Sequence, residues 1–403
     1  MLKKILMVNE FYSYGGGASL YLVDISKRLR NMGYHISILY GTRKEEIIEE
    51  SGIETFFVRD AFGFNYTFGA KEIKGITTVV NRVKPDLIYI HQVLNPHVIS
   101  LLSKLRPAIR FEHGFRLSCI TGRRMPQNNE LLCEYPPGLL CLVRAHTQKC
   151  SPRNPLLALR RFKDFQLNKR AHKKLSHLIV ASNYIKKLLL KSGYNKKQIA
   201  IIPYYTSLPL NSITRKLPQL PTIVCAGRIE KEKGIHYLFK ALSKIEQKVK
   251  VFVIGEGTQV SQLKLYAKSM LSKHEIVFTG WIENSELKKY YSQATLVVVP
   301  SIWPEPFGII GIEAMANQIP VVAFNVGGIS EWLKNEETGL LAAPRDYMDL
   351  ADKIKQLIEQ PDLASSMGIA GKKVVEKEFT PAVHIKRLVS IFQEASNKRV
   401  QLN

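Results

Sequence analysis

Residues 301–316 read SIWPEPFGIIGIEAMA. The apolar run TLVVV at 295–299 leads into them and PVVAF at 320–324 follows. Two short β-branched runs with a helical pattern between them read as strand, helix, strand, the repeating unit of a parallel sheet covered on both faces. Within the stretch, Glu305 and Glu313 are separated by seven residues. Gly308 and the amides near Ile309 fall at the helix start, where the helix dipole favours an anion. A wholly helical span would set the two carboxylates ~12 Å apart along the axis. The order carboxylate, anion-binding amides, carboxylate matches a ligand with hydroxyls at both ends and phosphates between, as in a nucleotide sugar. The plainer alternative makes Glu305 a capping carboxylate and Glu313 a surface residue. Ile312, Ala314 and Met315 beside Glu313 argue against simple solvation there.

The same alternation extends in both directions. Residues 3–9, KKILMVN, read as a first strand, followed by the loop Gly15-Gly16-Gly17, a helical pattern over 18–32 and a strand at 35–40. Further strands are expected at 86–91, 109–113 and 177–181, with a helix over 183–191. Residues 203–221 hold four prolines and no clear period, as an interdomain linker does. Beyond them strands recur at 222–226, 250–254 and 275–278, each followed by a helix, and three helical segments finish the chain. The 403 residues are too many for one ordinary core. The expected division is an N-terminal domain over 1–205, a C-terminal domain over 206–380, and a last helix over 381–403 packing back on the first domain. Residues 116–156 break the rhythm, with Cys, Pro, Gly, Arg and Asn and little periodicity, and read as an insertion.

Charge is unevenly placed. The formal net charge is +24, and residues 1–205 carry 33 Lys and Arg against 14 Asp and Glu. A lobe of that sign attracts phosphate, on nucleic acid or on anionic lipid. No recognition helix, zinc finger or RNA-binding aromatic motif supports nucleic acid. No apolar run reaches membrane-spanning length, and the apolar start is too short for a secretory signal, so a cytoplasmic protein is expected. Cys119, Cys133, Cys141 and Cys150 crowd the insertion at spacings without the close pair common in zinc sites. They are read as ordinary packing or a local disulfide ahead of a structural metal.

Three further places could bear chemistry. Gly15–Gly17 suits close backbone approach by a diphosphate, although Leu20 stands where a dinucleotide fingerprint needs its third glycine. Arg228 and Lys233, in GRIEKEKG at 227–234, could neutralise a leaving diphosphate, or could belong to a solvated charge run. His113 follows an apolar strand and precedes Gly114. A lone histidine is more often structural.

Taken in order, GRIEKEKG, FTGW, PSIWPEPFGIIGIEA and NVGGISE resemble glycosyltransferase family 4, the retaining enzymes of the two-lobed GT-B type. The resemblance covers the second domain and, more loosely, the glycine loop and the His-Gly of the first. It does not reach residues 116–156. It implies an α/β GT-B fold, two Rossmann-like domains facing each other across a cleft. It implies that Arg228 and Lys233 hold the diphosphate, that Glu305 binds the donor sugar and Glu313 the ribose, and that Phe307, Gly308 and Ile309 line the anion site with backbone amides. Gly280 would lie beside the base, Gly16 and Gly17 would close the site, and His113 would contact sugar or acceptor. The implied reaction moves a sugar, with retention and without a metal or other cofactor, from a UDP- or GDP-linked donor to a glycan or lipid-linked acceptor of bacterial surface polysaccharide, lipopolysaccharide or glycolipid synthesis. The basic first domain would rest on the anionic inner face of the cytoplasmic membrane. The competing readings are a nucleotide-sugar epimerase on the same scaffold and a non-catalytic anion or nucleic-acid binder.

Overall fold

In the computed structural model, which describes residues 2–13, 17–42, 52–63, 68–126, 130, 132–150, 154–206, 218–283 and 286–397, the apolar runs assemble into two sheets. The first contains β1 (Lys4–Phe11), β2 (His35–Thr42), β3 (Glu54–Phe57), β4 (Leu87–Ile90), β5 (Ala108–Glu112), β6 (His177–Val180) and β7 (Ile199–Ile201), in the spatial order β3-β2-β1-β4-β5-β6-β7. The second contains β8 (Thr222–Ala226), β9 (Lys250–Ile254), β10 (Glu275–Gly280), β11 (Leu296–Val299), β12 (Val321–Phe324) and β13 (Gly339–Ala342), in the order β10-β9-β8-β11-β12-β13. Every pairing between these strands is parallel. Both faces of such a sheet are covered by helices, and β4, β5, β6 and β12 are accordingly buried at every residue.

Both orders reverse direction beside their first strand, between β1 and β4 and between β8 and β11. The loops leaving the carboxyl ends at such a reversal part to opposite faces, which is where open α/β sheets bind ligands. The chain divides into two compact units, one of residues 1–129, 133–202 and 385–403, the other of 130–132 and 203–384. Each is Rossmann-like, and the pair is the α/β architecture of GT-B chains. Within the first unit, the final helix (Pro381–Asn397) sets Phe392 5.2 Å from the Tyr89 ring and Glu394 3.6 Å from His177.

Several elements differ from the pattern reading. The stretch 301–316 is not wholly helical; its helix is confined to Ile309–Ala316. β3, β7 and β13 are strands of three or four residues that the pattern did not announce. A helix, Leu140–Thr147, stands inside the irregular stretch 116–156. Its one buried residue is Ala145, so it has no apolar core-facing stripe to be read. Cys119, Cys133, Cys141 and Cys150 are half-buried with free thiols. Among the described residues, no helix is long and apolar enough to cross a membrane.

Gly234 ties the fold to the site. It adopts φ 68° at the start of the helix Ile235–Leu242, and a Cβ there would collide with the Pro300 carbonyl oxygen. Gly234→Ala is therefore expected to lower stability by roughly 2 kcal/mol or more, read from urea denaturation. Gly17→Ala, whose Cβ would meet nothing within 4 Å, is expected to show no loss.

Candidate functional site

The loops after β8, β11 and β12 meet at the crossover of the second sheet. β8 leads through Gly227 (φ 138°) and Arg228 into the short 3-10 helix Lys231–Lys233. β11 leads into residues 300–308 and then the helix Ile309–Ala316. One carbonyl joins the two loops. The Glu232 oxygen accepts from the Ile302 amide at 3.1 Å, the Trp303 amide at 3.0 Å and the Ser301 hydroxyl at 3.3 Å.

This clamp brings Lys233 to Glu305, Nζ to Oε1, at 2.6 Å. The pair is largely withdrawn from water, with side chains 22% and 10% exposed, and Nζ lies 5.2 Å from the Trp303 ring centre. A charge-assisted hydrogen bond of this length fixes both side chains. The NVGGISE loop after β12 holds Glu305 from behind. The Gly328 amide donates to the Glu305 carbonyl at 2.7 Å, and a Cβ on Gly327 (φ 60°) would run into the Glu305 backbone.

Gly308 (φ 100°) turns the chain into the helix. The Trp332 indole donates through Nε1 to the Phe307 carbonyl at 2.6 Å, and its ring lies so close to Gly311 that a Cβ there would collide with it. Phe307 is buried, its ring 6.1 Å from Tyr204 and 5.4 Å from Phe379. The amides of Ile309 and Ile310 begin the helix without intrahelical acceptors, the arrangement that receives phosphate. Glu313 lies just over one turn on, buried, and burial pushes its carboxyl up to about 7. Tyr291 neighbours it; burial first, and the Glu313 charge second, hold its phenol well above the ordinary value.

The other residues singled out from sequence fall in different settings. Arg228 is 66% exposed and meets Glu232, Nη2 to Oε1, at 3.6 Å. Of the two cations, then, only Lys233 is drawn inward. Gly280 (φ 75°) ends β10, and its carbonyl accepts from the Gly255 amide at 2.9 Å. The Ile229 amide donates to the Glu256 carbonyl at 2.7 Å, so the strand-end loops of this sheet form one connected rim.

In the first unit, Gly17 opens the helix Gly17–Asn31, and Gly16 lies outside the described residues. His113 follows β5. Its ring is 3.0 Å from His91, Nε2 to Nδ1, and stacks at 4.8 Å on Phe111. Burial, and then the Arg110 charge, push His113 down to about 3, so near neutral pH it is an uncharged imidazole. Arg110 is itself buried against Glu112 at 3.1 Å.

Pattern reading missed His91, the Glu232 carbonyl, Trp332 and Tyr291. Trp332 directly follows NVGGISE, so proximity to the paired glycines is the sequence signal for that residue. A backbone carbonyl offers none.

Comparison with known proteins gives two family matches. Residues 15–204 match the model described as Glycosyltransferase Family 4, and residues 212–374 match Glycosyl transferases group 1. Among relatives, the chain is 31% identical over 175 residues to the uncharacterized glycosyltransferase MJ1607 of Methanocaldococcus jannaschii, covering 43% of this chain and 45% of that one. It is 30% identical over 173 residues to a GDP-mannose-dependent alpha-(1-6)-phosphatidylinositol monomannoside mannosyltransferase of Mycobacterium tuberculosis, covering 41% and 45%. The chain thus spans less than half the length of these two relatives. Among solved structures, Anabaena Alr3699/HepE in complex with UDP-glucose superposes with a TM-score of 0.68 at 19% identity, covering 99% of each chain.

The elevated Glu313 carboxyl makes stability depend on pH. Its folded pKa of about 7 lies above the ordinary 4.5, so between those values the folded chain keeps a proton that the unfolded chain has lost. This contribution is full below pH 4.5 and is lost as pH rises through 7. Glu313→Gln is therefore expected to be more stable than the parent at pH 8, by on the order of 3 kcal/mol, with the difference shrinking toward pH 4.5. Denaturation midpoints of both proteins across this range measure it.

Proposed function

Since the chain belongs to glycosyltransferase family 4, we propose that it is a retaining transferase that moves a sugar from a nucleotide-diphosphate donor to a glycan or lipid-linked acceptor. The observation that carries this reading is the withdrawn Lys233–Glu305 pair, 2.6 Å apart at the sheet crossover and followed directly by a helix N-terminus. The pieces suit the parts of such a donor in order. The amides at Ile309 receive the diphosphate, Glu305 accepts from sugar hydroxyls, and Glu313 accepts from the ribose. Lys233 touches Glu305 and can shift its charge toward the diphosphate as the glycosidic bond lengthens. Arg228, exposed at the rim, adds its fork of donors.

In the front-face route that the family implies, the departing diphosphate oxygen takes the acceptor's proton, so no separate strong base is needed. Preorganised cations supply the stabilisation, and in this reading no metal is required. His113, neutral at working pH, offers a hydrogen bond to sugar or acceptor without adding charge. The UDP-glucose complex of Anabaena Alr3699/HepE and the GDP-mannose named for the mycobacterial relative support a UDP- or GDP-linked donor. The named phosphatidylinositol mannoside of that relative, and the thirteen Lys and Arg against one Asp in residues 152–197, support a lipid-linked acceptor met at the inner face of a bacterial membrane.

The test is a panel of UDP- and GDP-sugars assayed for slow donor hydrolysis, with the anomer of the released sugar recorded and excess chelator in a parallel arm. Retention, unaffected by chelator, is expected; inversion or loss with chelator would refute that part of the reading. Lys233→Ala should slow diphosphate departure by roughly 10²–10³-fold, and Arg228→Ala by less because its side chain stands in solvent. Glu305→Gln should lower turnover with the fold intact. Single-turnover rates at saturating donor that match the parent in all three variants would remove the donor-site assignment.

A further inference from the structure

One side of the helix Pro155–His172 faces water, and that side is mixed in character. Leu156, Leu159, Arg160, Lys163 and Arg170 are all exposed, and their spacing places them on a single stripe. Ala158, Phe165 and His172 lie on the opposite, buried side. Leu156 is 78% exposed and Leu159 55%. The structure buries Phe165 and turns the two leucines outward.

The helix Leu140–Thr147 packs against the same helix and repeats the arrangement. Leu139 is 72% exposed, Leu140 63% and Val143 59%. Single exposed leucines are common on soluble proteins and need no explanation. Five large exposed apolar side chains on, or capping, two packed helices are more than a scatter of single leucines, and such groupings mark contacts. Charge identifies the contact. The basic residues continue the apolar stripe along the helix. The helix's one acidic side chain, Asp164, lies 4.0 Å from Arg160 and is mostly withdrawn from water. Apolar tips adjoining cations fit the boundary between acyl chains and anionic headgroups.

We propose that the helices Leu140–Thr147 and Pro155–His172 form a membrane-docking face. Leu139, Leu140, Val143, Leu156 and Leu159 enter the acyl boundary of an anionic bilayer, while Arg160, Lys163 and Arg170 meet its phosphates. This deepens the lipid-surface part of the proposed function and is independent of the transfer chemistry. It also changes the expected salt response. Attraction by charge alone fades as salt screens the field, whereas inserted leucines leave a bound fraction at high salt.

The experiment is sedimentation of the full chain with phosphatidylcholine vesicles, with and without phosphatidylglycerol, at low and high salt. Binding that needs phosphatidylglycerol and partly survives high salt is expected. Leu140→Ser with Leu156→Ser should weaken it by about tenfold or more and abolish the salt-resistant fraction. Arg160→Glu with Lys163→Glu should sharply weaken binding to the phosphatidylglycerol vesicles. Both double variants should keep the parent's circular dichroism and its rate of donor hydrolysis in solution. Serine variants that sediment like the parent would overturn the proposal. So would a parent that ignores every vesicle, or one that forms a dimer in solution which the serine variants dissolve, since the face would then cover a second copy. Vesicle binding without donor hydrolysis would leave the docking face standing and remove the donor reading.

Discussion

Lys233 and Glu305 form an ion pair of 2.6 Å between loops seventy-two positions apart in sequence, and its geometry depends on backbone that cannot drift. A withdrawn lysine facing a withdrawn carboxylate is costly unless both arrive already positioned. The Glu232 carbonyl meets that demand by accepting from three donors of the opposite loop. The Gly328 amide meets it from the third loop. The glycines at 234 and 327 are the spatial condition for both, because a side chain at either would strike the loop across from it. The parallel sheet supplies the rest. It is the reversal of strand order beside β8 that brings these loops to one edge.

Glu313 shows the other use of burial. Burial raises its carboxyl to about 7. The same helix that offers amides to an anion at Ile309 therefore holds, just over one turn deeper, a carboxyl poised between its two protonation states at neutral pH. A group so placed responds to a hydroxyl-bearing ligand by gaining hydrogen bonds that water did not supply. Glu305 instead meets a cation at contact distance. Two carboxylates of one motif thus stand in unlike surroundings, one against a cation and one buried without one at contact distance among the described residues.

How much of this was legible in sequence depended on whether a feature has a side-chain signature. The strands of the sheet interiors are mostly apolar runs and were readable, as was the helix Asn183–Lys191, announced by Ser182, which accepts at its cap from the Ile185 amide. β3 is a four-residue edge strand with no residue fully buried, and β13 opens on a glycine, so neither carries the apolar run that marks a strand. In the site, Glu305, Glu313 and Lys233 were found because their types and spacing are unusual. The direct meeting of Lys233 with Glu305 was not found, because each had been matched to a different part of a ligand and neither to the other. The carbonyl of Glu232 could not be found, since every residue has one.

The helices Leu140–Thr147 and Pro155–His172 mark a subtler limit. Apolar periodicity is read on the premise that a leucine belongs inside, and for Ala158 and Phe165 the premise holds. For Leu156 and Leu159 it does not, although nothing in their identity separates them from core leucines. What separates them is phase: they share a stripe with Arg160 and Lys163, and a stripe that carries lysine and arginine cannot be turned into a core without burying charge. The basic residues thus fix which side faces outward, and the leucines are carried outward with them. On an ordinary soluble surface that coupling would be a cost without a return. On a surface that meets both water and hydrocarbon, it is the same arrangement by which interfacial helices settle at a bilayer.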